Sequence, residues 1–520
     1  MASRPIAAPA ASPLRLLGLL ALAASAVALV AAPQPVALGL FGLAVAIPLC
    51  GFVIAHPEVA ILGLLFVNAG FIPRNGVGLP LDDLAAGLIL GLVVLYAATG
   101  RRIAVRWWSV SGPFLVLFGA ACFSALYAVI WKHVPTNLAI GELRPTMYGA
   151  ACVIGGTLLV RRSQVVTLLV GLFAIADLTT AIVVLQQSIG LNNRLFDAMQ
   201  TTTWQVNSQI DGGSAFGAVR IVPPGHVMVY LASLWAFALL LDHRRAIGWR
   251  LVLAAQFLFL NFGLVLTYTR AQWIASTIAI ALMFVFMPRR QKKVLGKYVL
   301  ATLPVLLIAG AVVAATPNSG GAALVTALTD RASSIFAPDQ TLNSASLEWR
   351  AFEVAAAEQS IRSHPWLGVG LGNDYRPMTL LQGEARGWLY DLAGDARLTR
   401  FIHDSYLYLA VKMGLPAFGV FLWFVVAYLV QGVRTVRAVS STWSKLMLMP
   451  CVFGFAGLLE WAIFEAHFML SPSMAAVGLS IAMVGAAVHL DRPEPAEAPA
   501  PVTVRTIRRV ERVTRFAESA

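Results

Sequence analysis

The sequence predicts an all-α polytopic membrane protein of about 12–14 transmembrane helices, with one large loop on the non-cytoplasmic side. Three observations predict it. Of 520 residues, 58% are hydrophobic and only 12% charged, with a mean hydropathy of +0.76, whereas a soluble domain carries about a quarter charged residues. A soluble core has no room for that much apolar surface, so lipid must solvate most of the chain. The apolar residues gather into runs of spanning length, and the basic residues fall in alternate loops between those runs.

In chain order the runs lie at about 14–32, 36–55, 58–72, 83–99, 111–131, 143–160, 165–189, 225–241, 250–268, 271–287, 297–316, 404–430, 445–464 and 470–488. A helix needs about 20 such residues to cross a bilayer, and fewer where it is buried or re-entrant. The 58–72 run is short and the 250–287 pair has a very tight turn, which gives the count its range. The first run reads as an uncleaved span rather than a signal peptide, because so many spans follow it.

The basic loops set the orientation. Alternate loops hold Arg101, Arg102 and Arg106; Arg161 and Arg162; Arg244, Arg245 and Arg250; Arg289, Arg290, Lys292, Lys293 and Lys297; and Arg434, Arg437 and Lys445. The C-terminal stretch adds Arg505, Arg508, Arg509, Arg512 and Arg515. All fall on one side, which the positive-inside rule makes cytoplasmic, with both termini in. The formal net charge of +13 has the same origin. Lys and Arg face the cytoplasm and anionic lipid, so no nucleic-acid partner is implied.

The chain divides into an N-terminal transmembrane bundle (1–315), a large loop with an amphipathic helix (316–403), C-terminal transmembrane helices (404–488) and a cytoplasmic basic tail (489–520). The tail opens on DRPEPAEAPAP, a Pro/Ala-rich composition that predicts disorder. A second long loop on the outer side runs from about 190 to 224. In the large loop, residues 346–363 (SLEWRAFEVAAAEQSIRS) read as an amphipathic helix. Its apolar face is Leu347, Ala351, Val354 and Ile361, and Pro365 ends it. Asp82 and Asp83 follow Pro80 and precede a span, so they read as helix caps rather than catalytic carboxylates. Cys50, Cys122, Cys152 and Cys451 lie in apolar runs without a Cys-x-x-Cys pair, which argues against a disulfide or zinc framework.

The outer side makes an unusual choice of cation. It carries Arg74, Arg144, Arg194, Arg220, Arg270, Arg331, Arg350, Arg362, Arg376, Arg386, Arg397 and Arg400, against Lys132. The planar guanidinium grips phosphate bidentately and keeps its charge when partly desolvated. A general genomic preference for arginine is the plain alternative, but it does not explain two of the positions. Arg270, in LTYTRAQWIAS, sits between two apolar runs with almost no loop, where an arginine is costly unless paired, solvated or bound to an anion. Arg220, in FGAVRIVPPGH, comes just before a span whose start is shaped by Pro223, Pro224 and Gly225 and followed by His226. Snorkelling for Arg270 and an ordinary loop position for Arg220 are the structural readings.

His403 ends the large loop where a span begins, in RFIHDSYLYLAVKMGLPAFG, and Asp404 or Ser405 is placed to cap that helix. A neutral histidine there can take a proton from a hydroxyl; a structural histidine is the alternative. Lys412, two turns on, either lines the same cavity or pairs with a buried carboxylate. The stretch HPWLGVGLGN, residues 364–373, has glycines able to cradle phosphate. It lacks a Walker lysine and a strand–loop–helix context, so the glycines read as permitting tight backbone passage. Asp177 and Glu460 are ionisable groups within spans, either functional or hydrogen-bonded between helices. There is no HExxH, Cys/His cluster, serine elbow or outer Asp-x-Asp, so no metal and no cofactor is expected.

These segments, in this order from about Gly190 to Phe421, resemble the O-antigen ligase and Wzy-type O-antigen polymerase superfamily of bacterial membrane glycosyltransferases. Arg220 sits where that family has an arginine before a span. LTYTRAQW resembles its Thr-x-Ser-Arg-Gly segment. Arg350 followed by HPWLGVGLGN resembles the arginine and His-Pro-x-x-Gly-x-Gly-x-Gly stretch of its large loop, and His403-Asp404 with Gly414 resembles its His-Asn/Ser pair and later glycine. Thr269, Ala271, Asp404 and Lys412 depart from the usual residues.

The resemblance implies a glycosyltransferase C-type helical bundle in the bacterial inner membrane, with its site facing the periplasm and no metal or nucleotide. The donor would be a glycan on undecaprenyl diphosphate. The acceptor would be another lipid-linked glycan in a polymerase or lipid A core in a ligase, with membrane lipid and a chain-length regulator as further partners. His403, Arg270 and Arg220 would carry catalysis, and Arg350, Arg400, Asp404, His226 and Lys412 would bind substrate. A transporter or flippase for an anionic solute, using the same arginines as a binding ring, is the alternative of another class.

Overall fold

A computed structural model describes residues 51–72, 81–101, 108–189, 205–207, 220–242, 244–297, 344–376 and 399–491, with isolated positions between them. In order these form α1 (Glu58–Asn68), α2 (Leu81–Ala98), α3 (Trp108–Trp131), α4 (Thr136–Gly155), α5 (Arg162–Ile189), β1 (Gln205–Asn207), β2 (Arg220–Val222), α6 (His226–Leu240), α7 (Ile247–Val265), α8 (Arg270–Phe286), α9 (Ser344–Ser363), α10 (Ser405–Ala438), α11 (Thr442–Phe464) and α12 (Ser471–Asp491). Among the described residues, seven helices are long and apolar enough to cross a membrane, and α1, α6 and α8 are shorter apolar helices. The protein is thus an all-α, multi-pass membrane protein. Among the described residues a small antiparallel ribbon, β1–β2, departs from this, with Asn207 paired to Arg220. The runs expected at 14–32, 36–55 and 297–316 fall wholly or mostly outside the described residues, as do Arg74, Arg194, Arg331, Arg386, Arg397 and the tail.

Lipid-facing and interior helices are distinguished by burial. Only 22% of the spanning window of α7 is covered, and Trp249, Leu251, Val252 and Leu258 lie exposed along it, as lipid contact requires. In α11 and α12 the figure is 78%, and α6 is buried along its whole length. The inner helices pack through small residues: Gly478 of α12 lies against the backbone of Gly149 on α4, where any side chain would collide. Polar groups join other pairs. Arg144 of α4 grips both oxygens of Asp83 on α2 (Nε at 3.1 Å, Nη2 at 2.8 Å), and the Tyr148 hydroxyl donates to the same carboxylate at 2.6 Å. Asp83 therefore ties two helices together as well as standing in the first turn of α2. Asp177 of α5 accepts from Gln256 of α7, the interhelical reading of that residue.

Basic loops gather at one end of the bundle. Arg162 at the start of α5 lies 5.2 Å from the Trp443 ring at the start of α11 and bonds Leu490 O at the end of α12. Arg437 at the end of α10 lies 5.2 Å from the Phe286 ring at the end of α8. The starts of α6, α8 and α10 are consequently at the opposite end, with the end of α11.

The loop helix α9 is present and ends before Pro365, but it buries a different face from the one expected. Ala351 is exposed and Val354 is 39% exposed, while Glu353, Ala356, Ala357 and Ser360 are buried; of the expected face Ile361 is partly buried against the core, and the Leu347 side chain lies outside the described residues. Those positions also follow the i, i+3, i+4, i+7 rule. The covered face is made of a buried acid and small alanines, which carry less apolar signal than the exposed Val354.

Candidate active site

The site is built where α10 begins. Asp404 caps that helix, its carboxylate accepting from Tyr406 N at 2.7 Å and Leu407 N at 3.0 Å. Burial pushes the Asp404 carboxyl above the usual carboxylate range, opposed by those two N–H groups and by the positive charge of Arg350. Ser405 Oγ donates to Glu465 O (2.9 Å) and accepts from Phe468 N (3.3 Å), fastening the start of α10 to the α11–α12 turn.

His403, immediately before the cap, is held by Glu353 of α9. Its backbone N–H donates to Glu353 Oε2 at 3.1 Å, and its Nδ1 lies 2.9 Å from the same oxygen. Glu353 is almost fully buried whereas the His403 side chain is 37% exposed. A carboxylate can only accept, so this contact fixes the tautomer with the proton on Nδ1 and leaves Nε2 as the basic nitrogen. Sequence reasoning missed Glu353. The signal available was its position three residues after Arg350 on one helix, which puts both at the same end of a face. Arg350 reaches back toward the bundle, with its Cζ 5.9 Å from the ring of Phe464, the last residue of α11.

Lys412 resolves to the second of its two readings. It is fully buried, with Nζ 3.0 Å from Glu142 Oε1 on α4 and 2.6 Å from Asn373 O. Glu142 Oε2 also accepts from Gly372 N and the Tyr408 hydroxyl at 2.6 and 2.9 Å. Around this pair α10 is broken. Gly414 has φ +82°, and Pro416, lacking an N–H, cannot bond Lys412 O. The glycine-rich stretch repairs the break: Val369 N donates to Val411 O (2.9 Å), Gly370 N to Lys412 O (3.0 Å), and Leu415 N to Pro365 O (2.8 Å). Gly368, at φ +65°, sits so close that an added Cβ would lie 2.5 Å from Val411 O. This is tight backbone passage, and no carboxylate or cation of the pair is left over for a phosphate.

Arg400 Nε lies 3.3 Å from Asp374, at the edge of the same loop. Arg270 is the first residue of α8, reached through a turn in which buried Tyr268 adopts φ 51°, a left-handed conformation rare for an aromatic residue. That turn reverses the chain within four residues and sets Arg270 at the end of the bundle where His403 lies. Arg220 is in β2 at that end, and its side chain lies outside the described residues. His226, the first residue of α6, is buried, and its Nδ1 bonds Pro223 O. Its other nitrogen faces Glu465 rather than His403, at 4.0 Å.

Residues 254–422 match the family model described as O-antigen ligase, Wzy_C. Over that stretch, about a third of its length, the chain is similar to the O-antigen ligase domain. The match spans Arg270, Arg350, Glu353, the glycine-rich stretch, Arg400, His403, Asp404 and Lys412, and supports membership of the O-antigen ligase and Wzy-type superfamily. It supports polysaccharide ligation or polymerisation in general, and the family it describes acts on lipid-linked glycans. None of the curated proteins matches the chain.

Proposed function

We propose that this O-antigen ligase domain protein transfers a glycan from undecaprenyl diphosphate to an acceptor sugar hydroxyl at the periplasmic leaflet of a bacterial inner membrane. The product is a growing surface polysaccharide, O-antigen or exopolysaccharide. The single observation that carries this reading is the Glu353–His403 contact at the end of the bundle opposite the basic loops.

Glu353 holds the Nδ1 proton, so Nε2 of His403 accepts the proton of the acceptor hydroxyl as its oxygen bonds the anomeric carbon. The bond from that carbon to the diphosphate oxygen breaks, and the electron pair leaves with the diphosphate. Arg270, at the start of α8, and Arg220, in β2, would meet the growing negative charge and supply the stabilisation a metal would otherwise give. Arg350 and Arg400 hold the loop and glycan phosphates or hydroxyls beside them. Transfer to lipid A core uses the same groups and differs in the acceptor.

Purified protein given lipid-linked oligosaccharide tests this. A ladder of lengthened glycan is expected, and Arg270→Ala and His403→Ala should each lower the rate by about 10²–10⁴-fold with the fold intact. A single transfer to lipid A core would make it a ligase. Uptake of an anionic solute into proteoliposomes without any glycan product would sink the enzyme reading altogether.

A further inference from the structure

His226, Glu465 and His467 form a cluster that the transfer mechanism does not use. Their ligand atoms all lie within 4.8 Å of one another. Glu465 Oε2 is 3.3 Å from His467 Nε2 and 4.0 Å from His226 Nε2. The two imidazoles are buried, and Glu465 is partly exposed. Each ring is oriented through its other nitrogen. His226 Nδ1 bonds Pro223 O, and since a carbonyl can only accept, that nitrogen carries the proton of a neutral ring and Nε2 keeps its lone pair. His467 Nδ1 lies 2.9 Å from Ser473 Oγ, a partner that can take either role. Trp461 packs against both rings, with centroids 5.0 Å from His226 and 4.1 Å from His467. Two imidazoles aimed by outer partners at one carboxylate, in an apolar surround, are the arrangement by which proteins hold a transition metal.

We propose that His226, Glu465 and His467 bind one divalent transition-metal ion, with zinc the best fit, as a clasp between the start of α6 and the α11–α12 turn. Two nitrogens and one carboxylate oxygen suit Zn²⁺ or Co²⁺ better than the oxygen-seeking Mg²⁺ or Ca²⁺. Bond lengths of about 2.0–2.2 Å put tetrahedral ligands roughly 3.3–3.5 Å apart. The Glu465–His467 pair has that spacing at 3.3 Å, and His226, within 4.8 Å of both partners, closes with a shift of at most about 1.5 Å. The fourth position falls to water on the side where Glu465 is exposed. The ion would fix the Pro223-Pro224-Gly225 turn, and with it β2, against the turn that Ser405 also grips. The clasp is thus a positioning device for the neighbouring site, separate from the reacting atoms. It does not depend on the glycosyl-transfer reading, because it is read by metal binding.

The test uses full-length protein carrying a histidine-free affinity tag, purified in detergent, stripped with EDTA and dialysed against Zn²⁺ or Co²⁺. About one metal per chain is expected, with visible Co²⁺ bands of nitrogen ligation. Glu465→Gln and His467→Asn should each weaken binding by about 10–100-fold, and His56→Ala should not. Zn²⁺ should raise the melting temperature of the native protein and not of the two variants. If the native protein retains no metal, the cluster is an ordinary histidine–glutamate ion pair and the proposal fails. Equal retention by the variants overturns it as well. Should a variant fail to fold, the Co²⁺ spectrum of the native protein decides alone.

Discussion

Two glutamates, Glu142 partly buried and Glu353 almost fully so, each hold a basic side chain of the segment around the start of α10, and they do opposite things. Glu142 surrounds itself with Lys412, Tyr408 and the Gly372 amide, and the lysine is wholly buried. Glu353 holds His403 by its backbone and one ring nitrogen, and leaves the ring 37% exposed. The first arrangement saturates its groups and ties α4, α10 and the glycine-rich stretch into one unit. The second immobilises one face of a ring and presents the other. Chemistry of charge is alike in the two. What separates a fastening from a working site is whether a lone pair is left facing outward.

Removing the fastening should have the largest effect on stability. Lys412→Met leaves the partly buried Glu142 without a counter-charge, and a loss of about 2–4 kcal/mol is expected, read as a lower melting temperature in detergent. Adding Glu142→Leu should recover most of it. A Lys412→Met protein that melts normally but no longer transfers glycan would move Lys412 back to the substrate and erase the contrast.

Breaking the other pair should act on rate instead. Glu353→Gln keeps the shape of the side chain but loses the charge that supports a protonating His403. We expect kcat to fall by about 10²-fold with KM and melting temperature nearly unchanged. A fall in stability with kcat intact would show Glu353 to be a second fastening.

A smaller effect sharpens the account of the helix break. Gly368→Ala forces a Cβ into a left-handed backbone, costing about 1–2 kcal/mol before the collision with Val411 O. Thermal denaturation should show this, and activity should fall only as the loop loosens. Smallest of all, Val354→Ser on the exposed face of α9 should change stability by less than about 0.5 kcal/mol. A cost several times that would restore the face first expected.

Much of the bundle was legible in the sequence because a membrane span is a local property. Twenty apolar residues declare themselves wherever they pack, and the positions of α2 through α8 and α10 through α12 agree with the apolar runs to within a few residues, apart from α4, which begins seven residues early, and α10, which runs eight residues past its run. The candidate site was only partly legible. His403, the Asp404 cap, Arg350 and Arg270 stood out because each is polar at a boundary where polarity is costly. Glu353 and Glu142 did not, since a glutamate in a helix looks ordinary until its partner is known. Glu465 and His467 escaped for the same reason, their third partner being in another helix far back along the chain.

Sequence alone therefore determined that the chain lives in lipid, that its basic loops alternate with its outer ones, and where helices start and stop, because hydropathy, charge and capping act within a turn or two. Tertiary structure decided which charges are consumed by one another and which remain available. It paired Lys412 with Glu142, turned His403 outward on Glu353, and brought His226 to Glu465 and His467. Those outcomes depend on distances between side chains on separate helices, which packing sets and linear order does not record.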